Sequence, residues 1–234
     1  MALQEIDLPI ELSKLKKMGW IKSNRKSDTG IGKTVEDILG IPENNSGQGD
    51  CLYQEVEVEL KSHRIKSNSM ITLFTLEPGI RHLHDTELMQ KYGYKNGKGR
   101  QALKITLTIN NYTPQGLKLK SNLNAEKISI INTSGEILWE WSTSDIHLKL
   151  NNLCIVYADS KKENGHEFFK IEKAILAMYL NDKCFFKLID DGLIKIDLRM
   201  HTKPNGGSRN HGTAFRTSSW QELVKCYRKV EQIL

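Results

Sequence analysis

Asp50, Glu59 and Lys61 are the residues whose types and spacing best suit chemistry. Glu59 and Lys61 stand two apart in the run Glu55-Val56-Glu57-Val58-Glu59-Leu60-Lys61. Such strict alternation predicts a strand, with Val56, Val58 and Leu60 on one face and the charged residues on the other. Side chains two apart on a strand project to the same side, about 7 Å from each other. Asp50 precedes them in a loop, directly after Gly49. Two carboxylates can hold a hard divalent cation such as Mg²⁺ through oxygen ligands. A lysine beside them can orient or help deprotonate a water and stabilise charge on a phosphate, while the metal polarises the phosphoryl oxygen. Glu36, on a short predicted helix upstream, can point a third carboxylate toward the same ion. The Glu-x-Lys pair alone is a weak signal, since any charged strand offers one and a solvated face is its commoner meaning. Asp50 and Glu36 are what strengthen it.

The elements that must position these groups follow from periodicity. Apolar residues at Leu8, Ile10, Leu12, Leu15 and Met18 predict a helix over 4–19, with Pro9 near its start. Ile31, Val35, Ile38 and Leu39 give a helix over 32–39 an apolar face, with Gly40 as its stop. Strands are expected at 55–61, 70–76, 103–110, 127–132, 136–141, 152–157 and 193–200, with Ser134-Gly135 as a hairpin turn. A short helix is expected within 81–100, a mostly helical stretch over 168–186 and a closing helix over 219–234. This mixture predicts an α/β or α+β fold. At 234 residues it suits a single bilobed domain, with a catalytic lobe centred on about 1–100 and a second lobe mainly over about 101–234.

Composition narrows the partners. Net charge is +6, and the last forty residues hold eight Lys/Arg against three Asp/Glu. A basic patch there suits a polyanion such as nucleic acid, or else a solvated surface. No apolar run approaches the ~18 residues of a membrane span, and the acidic, amphipathic N-terminus is unlike a secretory signal. No membrane partner is expected. Cys51, Cys154, Cys184 and Cys226 form no C-x-x-C pair, so they read as single buried cysteines of a reducing cytoplasm.

The stretch Gly32-Lys33-Thr34 looks like the end of a phosphate-binding loop. That motif needs a glycine where Ser27 stands and a buried strand before it, and Lys22-Ser23-Asn24-Arg25-Lys26 cannot supply one. Gly30 and Gly32 instead suit a turn passing close to DNA, with Lys33 meeting a phosphate at a helix start.

Taken together, GW (19–20), TGIGKTVEDILG (29–40), ENN (43–45), GD (49–50), EVELKSHR (57–64), SMITLFTLEP (69–78), YGY (92–94), IKIDLRM (194–200) and NHGTAFR (210–216) resemble the MvaI/BcnI family of type II restriction endonucleases. The likeness spans most of the chain and matches residues 100–150 only in outline. It implies a PD-(D/E)xK, MutH-like core: a mixed sheet flanked by helices, with a DNA-recognition lobe. It places Asp50, Glu59 and Lys61 on the catalytic triplet, Asp50 and Glu59 on the metal, and Glu36 on a supporting carboxylate. The residues 51–54 lengthen the spacing after Asp50, which leaves Glu55 or Glu57 as alternatives, though neither has a lysine two residues on.

The resemblance further implies that Arg199 and Arg216 bind guanines of a CC-N-GG core, with His211 in the same loop. An arginine can take guanine O6 and N7 together, and Asp197 can accept from cytosine N4. Members reading C or G at the centre carry histidines at positions matching Thr75 and Ala214. Their absence here implies A or T, hence CCWGG or a close variant. Further implications are Mg²⁺ with Mn²⁺ substituting, and Ca²⁺ supporting binding without cleavage. Cleavage would leave 5′-phosphate and 3′-hydroxyl ends. The enzyme would be a monomer on double-stranded DNA, with a cognate methyltransferase in a bacterial cytoplasm.

Other features read more plainly. Ser27, Asp28 and Thr29 form either a simple turn or an approach to the minor groove. His82-x-His84-Asp85 lacks further ligands at zinc spacing. Trp139 and Trp141 read as packing, and Asn210-His211 lacks the context of a ββα-metal nuclease. A MutH-like nickase and a DNA-binding module with a decayed site are the competing readings.

Overall fold

A computed structural model of the chain describes residues 3–26, 29–42, 49–67, 69–204 and 206–234. They gather into two compact units. The first takes the chain up to Ser69, then Lys149–Leu180 and Tyr227–Leu234; the second takes Met70–Leu148 and Asn181–Cys226. Residues 70–100 therefore lie with the second unit, and 149–180 and 227–234 with the first. The architecture is mixed α+β, with helices set among three sheets.

The first unit is built on a six-stranded mixed sheet. Its order is Ile21–Lys22, His166–Leu180, Asn152–Glu163, Val56–Arg64, Cys51–Tyr53, with Tyr227–Gln232 also pairing His166–Leu180. Val56–Arg64 runs parallel to Asn152–Glu163 and antiparallel to Cys51–Tyr53. The helix Leu8–Lys17 is shorter than the expected 4–19. Asp7 caps it by accepting from the Ile10 amide at 3.2 Å, with Pro9 in the first turn. Leu8, Leu12 and Leu15 face inward. They share a core with Ile31 and Val35 of the helix Gly30–Ile38, and with Val58 and Leu60 of the sheet. That core fixes the strand carrying Glu59 and Lys61.

Two expected helices are strands. Residues 168–186 divide into the strand His166–Leu180 and the helix Asp182–Asp190, which Asn181 caps. Over 174–178 residues of both faces are buried or half-buried, so apolar residues run continuously through AILAM. The register also slips opposite Tyr157 and Ala158, which interrupts the two-residue period. Likewise 219–234 gives only the helix Trp220–Val224, followed by the strand Tyr227–Gln232. Its backbone groups find partners along His166–Leu180, and that pairing outweighs the helical preference of the sequence.

The second unit carries two antiparallel sheets. One orders Ile80–Arg81, Ile137–Ser142, Lys127–Asn132, Leu117–Asn122; the other Ile71–Thr75, Ala214–Thr217, Ile194–Thr202, Gln101–Leu107, Tyr94–Lys95, with Ser208–Asn210 pairing Ile194–Thr202. The expected turn at Gly135 is present, with φ +81°. Trp139 and Trp141 are buried, and their indole N–H groups donate to Leu83 O and Leu76 O at 2.8 and 2.9 Å. Trp141 meets Phe215 edge-on at 5.7 Å, joining the two sheets.

The cysteine reading needs correction. Cys51 and Cys154 are single and buried, but Cys184 and Cys226 form a disulfide. They lie 42 residues apart, and the Asn181 amide donating to Cys226 O at 2.8 Å brings the two segments together. No helix among the described residues is long and apolar enough to cross a membrane.

Candidate active site

The spacing after Asp50 is explained by a hairpin. Cys51–Tyr53 turns back on Val56–Arg64, with Tyr53 opposite Val56 and only Gln54 and Glu55 between them. Both turn residues have positive φ, 51° and 66°, the geometry of a tight two-residue turn that keeps the strands' twist. The residues 51–54 thus fold out and return. Asp50 ends beside the strand of Glu59 and Lys61: its amide donates to Val58 O at 2.9 Å, and its Oδ2 accepts from the Leu60 amide at 2.7 Å. Glu55 is spent in the turn, and Glu57 accepts from the Gly49 amide at 3.3 Å.

Glu59 and Lys61 are mostly sequestered, their side chains 18% and 22% exposed, and Lys61 Nζ donates to Glu59 Oε1. Burial works to lower the Lys61 pKa, but the Glu59 and Asp50 carboxylates outweigh it and hold it above its ordinary value. The neighbouring carboxylates thus favour the ammonium form of Lys61. Glu36 joins the cluster from its helix. Burial, then the Asp50 carboxylate, raises its pKa above the usual carboxylate range, against Lys33 and Lys61. Burial also raises Glu59. For both glutamates burial is the leading cause, and nearby lysine charge only partly offsets it. Among the described residues no three Asp, Glu, His or Cys side chains converge as a ready metal centre. Asp50 and Glu59 nonetheless supply hard oxygen donors of the kind a divalent cation takes.

Gly30 is demanded by close approach: a Cβ there would lie 2.3 Å from Ser23 Oγ and 2.4 Å from Arg25 O. Thr29 stands at the helix N-cap. Lys33 is only 12% exposed, with its ammonium 2.8 Å from Asp37 and 3.7 Å from Glu36. Its charge is engaged with the helix's own carboxylates. Ser27, Asp28 and the motif at 43–45 lie outside the described residues.

The second array sits on Ile194–Thr202. Ile196, Leu198 and Met200 are buried, so Asp197, Arg199 and His201 share the opposite face. Cross-strand partners share a face too, which adds Thr106 opposite Asp197 and Lys104 opposite Arg199. Asp197 Oδ1 accepts from Thr106 Oγ1 at 2.7 Å, and Oδ2 accepts from Arg216 Nη1 at 2.6 Å. Arg216 Nη2 donates to Met70 O at 2.9 Å. Arg199 donates from Nε to Gly212 O at 3.2 Å and from Nη2 to His211 O at 3.0 Å. Both guanidinium planes are therefore set by the protein, and each retains further donors. Thr75 and Ala214 face each other across their ladder.

Sequence reasoning missed Thr106. It sits in an expected strand, but only the register places it opposite Asp197. The roles of Asp50 and Asp197 as structural partners were equally illegible.

Against known proteins, the family model described as the MvaI/BcnI restriction endonuclease family matches residues 10–225. A solved complex of the restriction endonuclease MvaI with cognate DNA substrate is 27% identical, covering 97% of each chain with a TM-score of 0.81. MvaI in the absence of DNA is 25% identical over 97% of this chain and 96% of its own, with a TM-score of 0.56. A comparison with the curated proteins gives no match. The chain belongs to the MvaI/BcnI restriction endonuclease family, and is a type II site-specific nuclease.

Proposed function

We propose that this enzyme hydrolyses phosphodiester bonds of double-stranded DNA at a short G·C-rich site, CCWGG or a close variant, leaving 5′-phosphate and 3′-hydroxyl ends. The observation that carries the chemistry is the hairpin that returns Asp50 to the Leu60 amide, beside Glu59 and Lys61. Asp50 and Glu59 would hold Mg²⁺, with Mn²⁺ able to replace it and Ca²⁺ supporting binding alone. When bound, it would supply Lewis-acid charge for a phosphate and lower the pKa of water. Lys61 brings an ammonium to the same space, where it steadies charge on the phosphate and orients the attacking water. Glu36 supports the cluster from its helix.

For site choice, Arg199 and Arg216 address guanines, with their planes held by loop carbonyls and by Asp197. Asp197 takes a cytosine amino group through a remaining lone pair, with His211 in the same loop. The small side chains of Thr75 and Ala214 support a central A·T pair. The likeness to a MvaI–DNA complex supports DNA as substrate. The reading includes a monomer cutting one strand at a time, Thr29 and Lys33 near the DNA backbone, and a cognate methyltransferase in the bacterial cytoplasm.

The test is digestion of a DNA of known sequence with Mg²⁺, followed by run-off sequencing. Defined ends at CCWGG support the reading. Ends at CCSGG would move the central-base assignment. Nicked circles alone would favour a MutH-like nickase.

A further inference from the structure

Beyond Arg199 the reading strand runs into a cluster of cations. Two adjoining surface depressions, about 710 and 550 Å³, share Arg100 and His201 as walls. Lys203 and Arg209 complete the first, and Lys98 and Lys104 the second. Among the described residues no carboxylate lines either one. Among the described residues, none of Lys98, Arg100, Lys104, Lys203 or Arg209 makes an ion pair. Another basic depression is partly neutralised by carboxylates. The depression lined by Lys26, Arg64 and Lys161 contains Glu167, which binds Arg64 at 2.7 Å, and Lys161 meets Glu163 at 2.8 Å. Uncompensated charge gathered on one concave face draws polyanions.

The cluster is continuous with the base-reading array. Lys104 lies directly opposite Arg199, and Arg209 opposite His201. His201 stacks on His211 with ring centroids 5.1 Å apart. Burial, then the charges of His211, Lys104, Arg100 and Arg209, hold His201 below the ordinary histidine range, as a crowded positive field should. Along the strand, Lys203 stands four residues past Arg199, or about 13 Å. That spans roughly four base-pair steps of DNA.

We propose that this patch, formed by Lys98, Arg100, Lys104, Lys203 and Arg209 around His201, binds the phosphodiester backbone flanking the recognition site, a few base pairs outside the guanines. The proposal rests on the reading of Arg199 and Arg216 as base contacts. It predicts a footprint longer than the bases read, with the outer part sensitive to salt and indifferent to sequence.

The test compares the whole protein with an Arg100→Gln/Lys203→Gln/Arg209→Gln variant, and with Lys203→Glu alone should the triple variant fold poorly. Binding is measured in Ca²⁺ over a salt series. One cognate duplex stops about two base pairs outside the core, and another extends about ten beyond it. Wild type should bind the longer duplex more tightly, with a steeper dependence of log affinity on log salt. The triple variant should bring the two duplexes together, its slope on the longer one shallower by about 0.9 for each phosphate no longer neutralised, roughly 2–3 in all. Lys203→Glu should narrow the same gap. A variant that keeps the wild-type gap overturns the proposal. So does a wild type that treats the duplexes alike, including one whose His201 resonance responds to inorganic phosphate, which would mark a free-phosphate site. If wild type binds neither duplex, the base-reading assignment falls first and this proposal with it.

Discussion

The strands Val56–Arg64 and Ile194–Thr202 use one device to opposite ends. Each alternates buried apolar residues with charged ones: Val58 and Leu60 with Glu59 and Lys61, and Ile196 and Leu198 with Asp197 and Arg199. On the first, Asp50 and Glu59 flank Lys61 and Glu36 feels their charge from its helix, and burial raises the pKa of Glu36 and Glu59. On the second, both Asp197 oxygens have partners and both arginines are pinned by carbonyls. Two carboxylates of the first cluster thus sit where burial disfavours their charge, whereas Asp197, Arg199 and Arg216 are already oriented by hydrogen bonds within the protein.

The difference is broken most severely at the catalytic strand. Glu59→Ala or Lys61→Ala should slow plasmid cleavage by roughly 10²–10⁴-fold, while binding in Ca²⁺ persists. A Glu59→Ala protein that cut normally would remove that residue from the site.

On the reading strand, Arg216→Ala should cost about 1–3 kcal/mol in cognate affinity, together with discrimination at the guanine it meets. Equilibrium binding to the cognate duplex and to a set of single-base variants measures both. Equal losses on all duplexes would make Arg216 a phosphate contact.

A smaller effect tests whether Asp197 holds Arg216. Thr106→Val removes one hydrogen bond and should cost about 1 kcal/mol in cognate binding. Binding to unrelated DNA should stay the same, since only the arginine's aim is disturbed. A loss that is equal for unrelated DNA would detach Thr106 from recognition.

The smallest effect sharpens the contrast in stability. Burial raises the folded-state pKa of Glu36, so its ionisation opposes folding, and that cost grows as pH rises through the raised value. In metal-free protein, Glu36→Gln should therefore raise the melting temperature slightly near pH 8. The gain should vanish at pH low enough to protonate Glu36 in both states. With Mg²⁺ added the variant should lose its advantage and cut more slowly. Melting curves across pH, with and without Mg²⁺, report this. Destabilisation by the variant in metal-free protein at pH 8 would contradict the picture of an unsatisfied cluster.

Local pattern made much of this legible. Strict alternation located the strands of Glu59 and Asp197, and apolar spacing located the helices of Leu12 and Val35. It failed where a segment's surroundings chose its state. The strand His166–Leu180 has apolar residues on both faces over 174–178 and carries a register slip, so its apolar run looked helical. Tyr227–Gln232 took the place its backbone could pair in.

From its sequence alone, the chain declared which residue types lie together on the strands of Glu59 and Asp197, and the family to which those motifs belong. Side-chain alternation is a property of the local backbone and needs no partner. Only the tertiary structure decided what those residues meet. It folded residues 51–54 into a hairpin that delivers Asp50 to Leu60, and set Thr106 and Arg216 around Asp197. It also joined Cys184 to Cys226. Such meetings depend on register and long-range packing, which no stretch of sequence contains by itself.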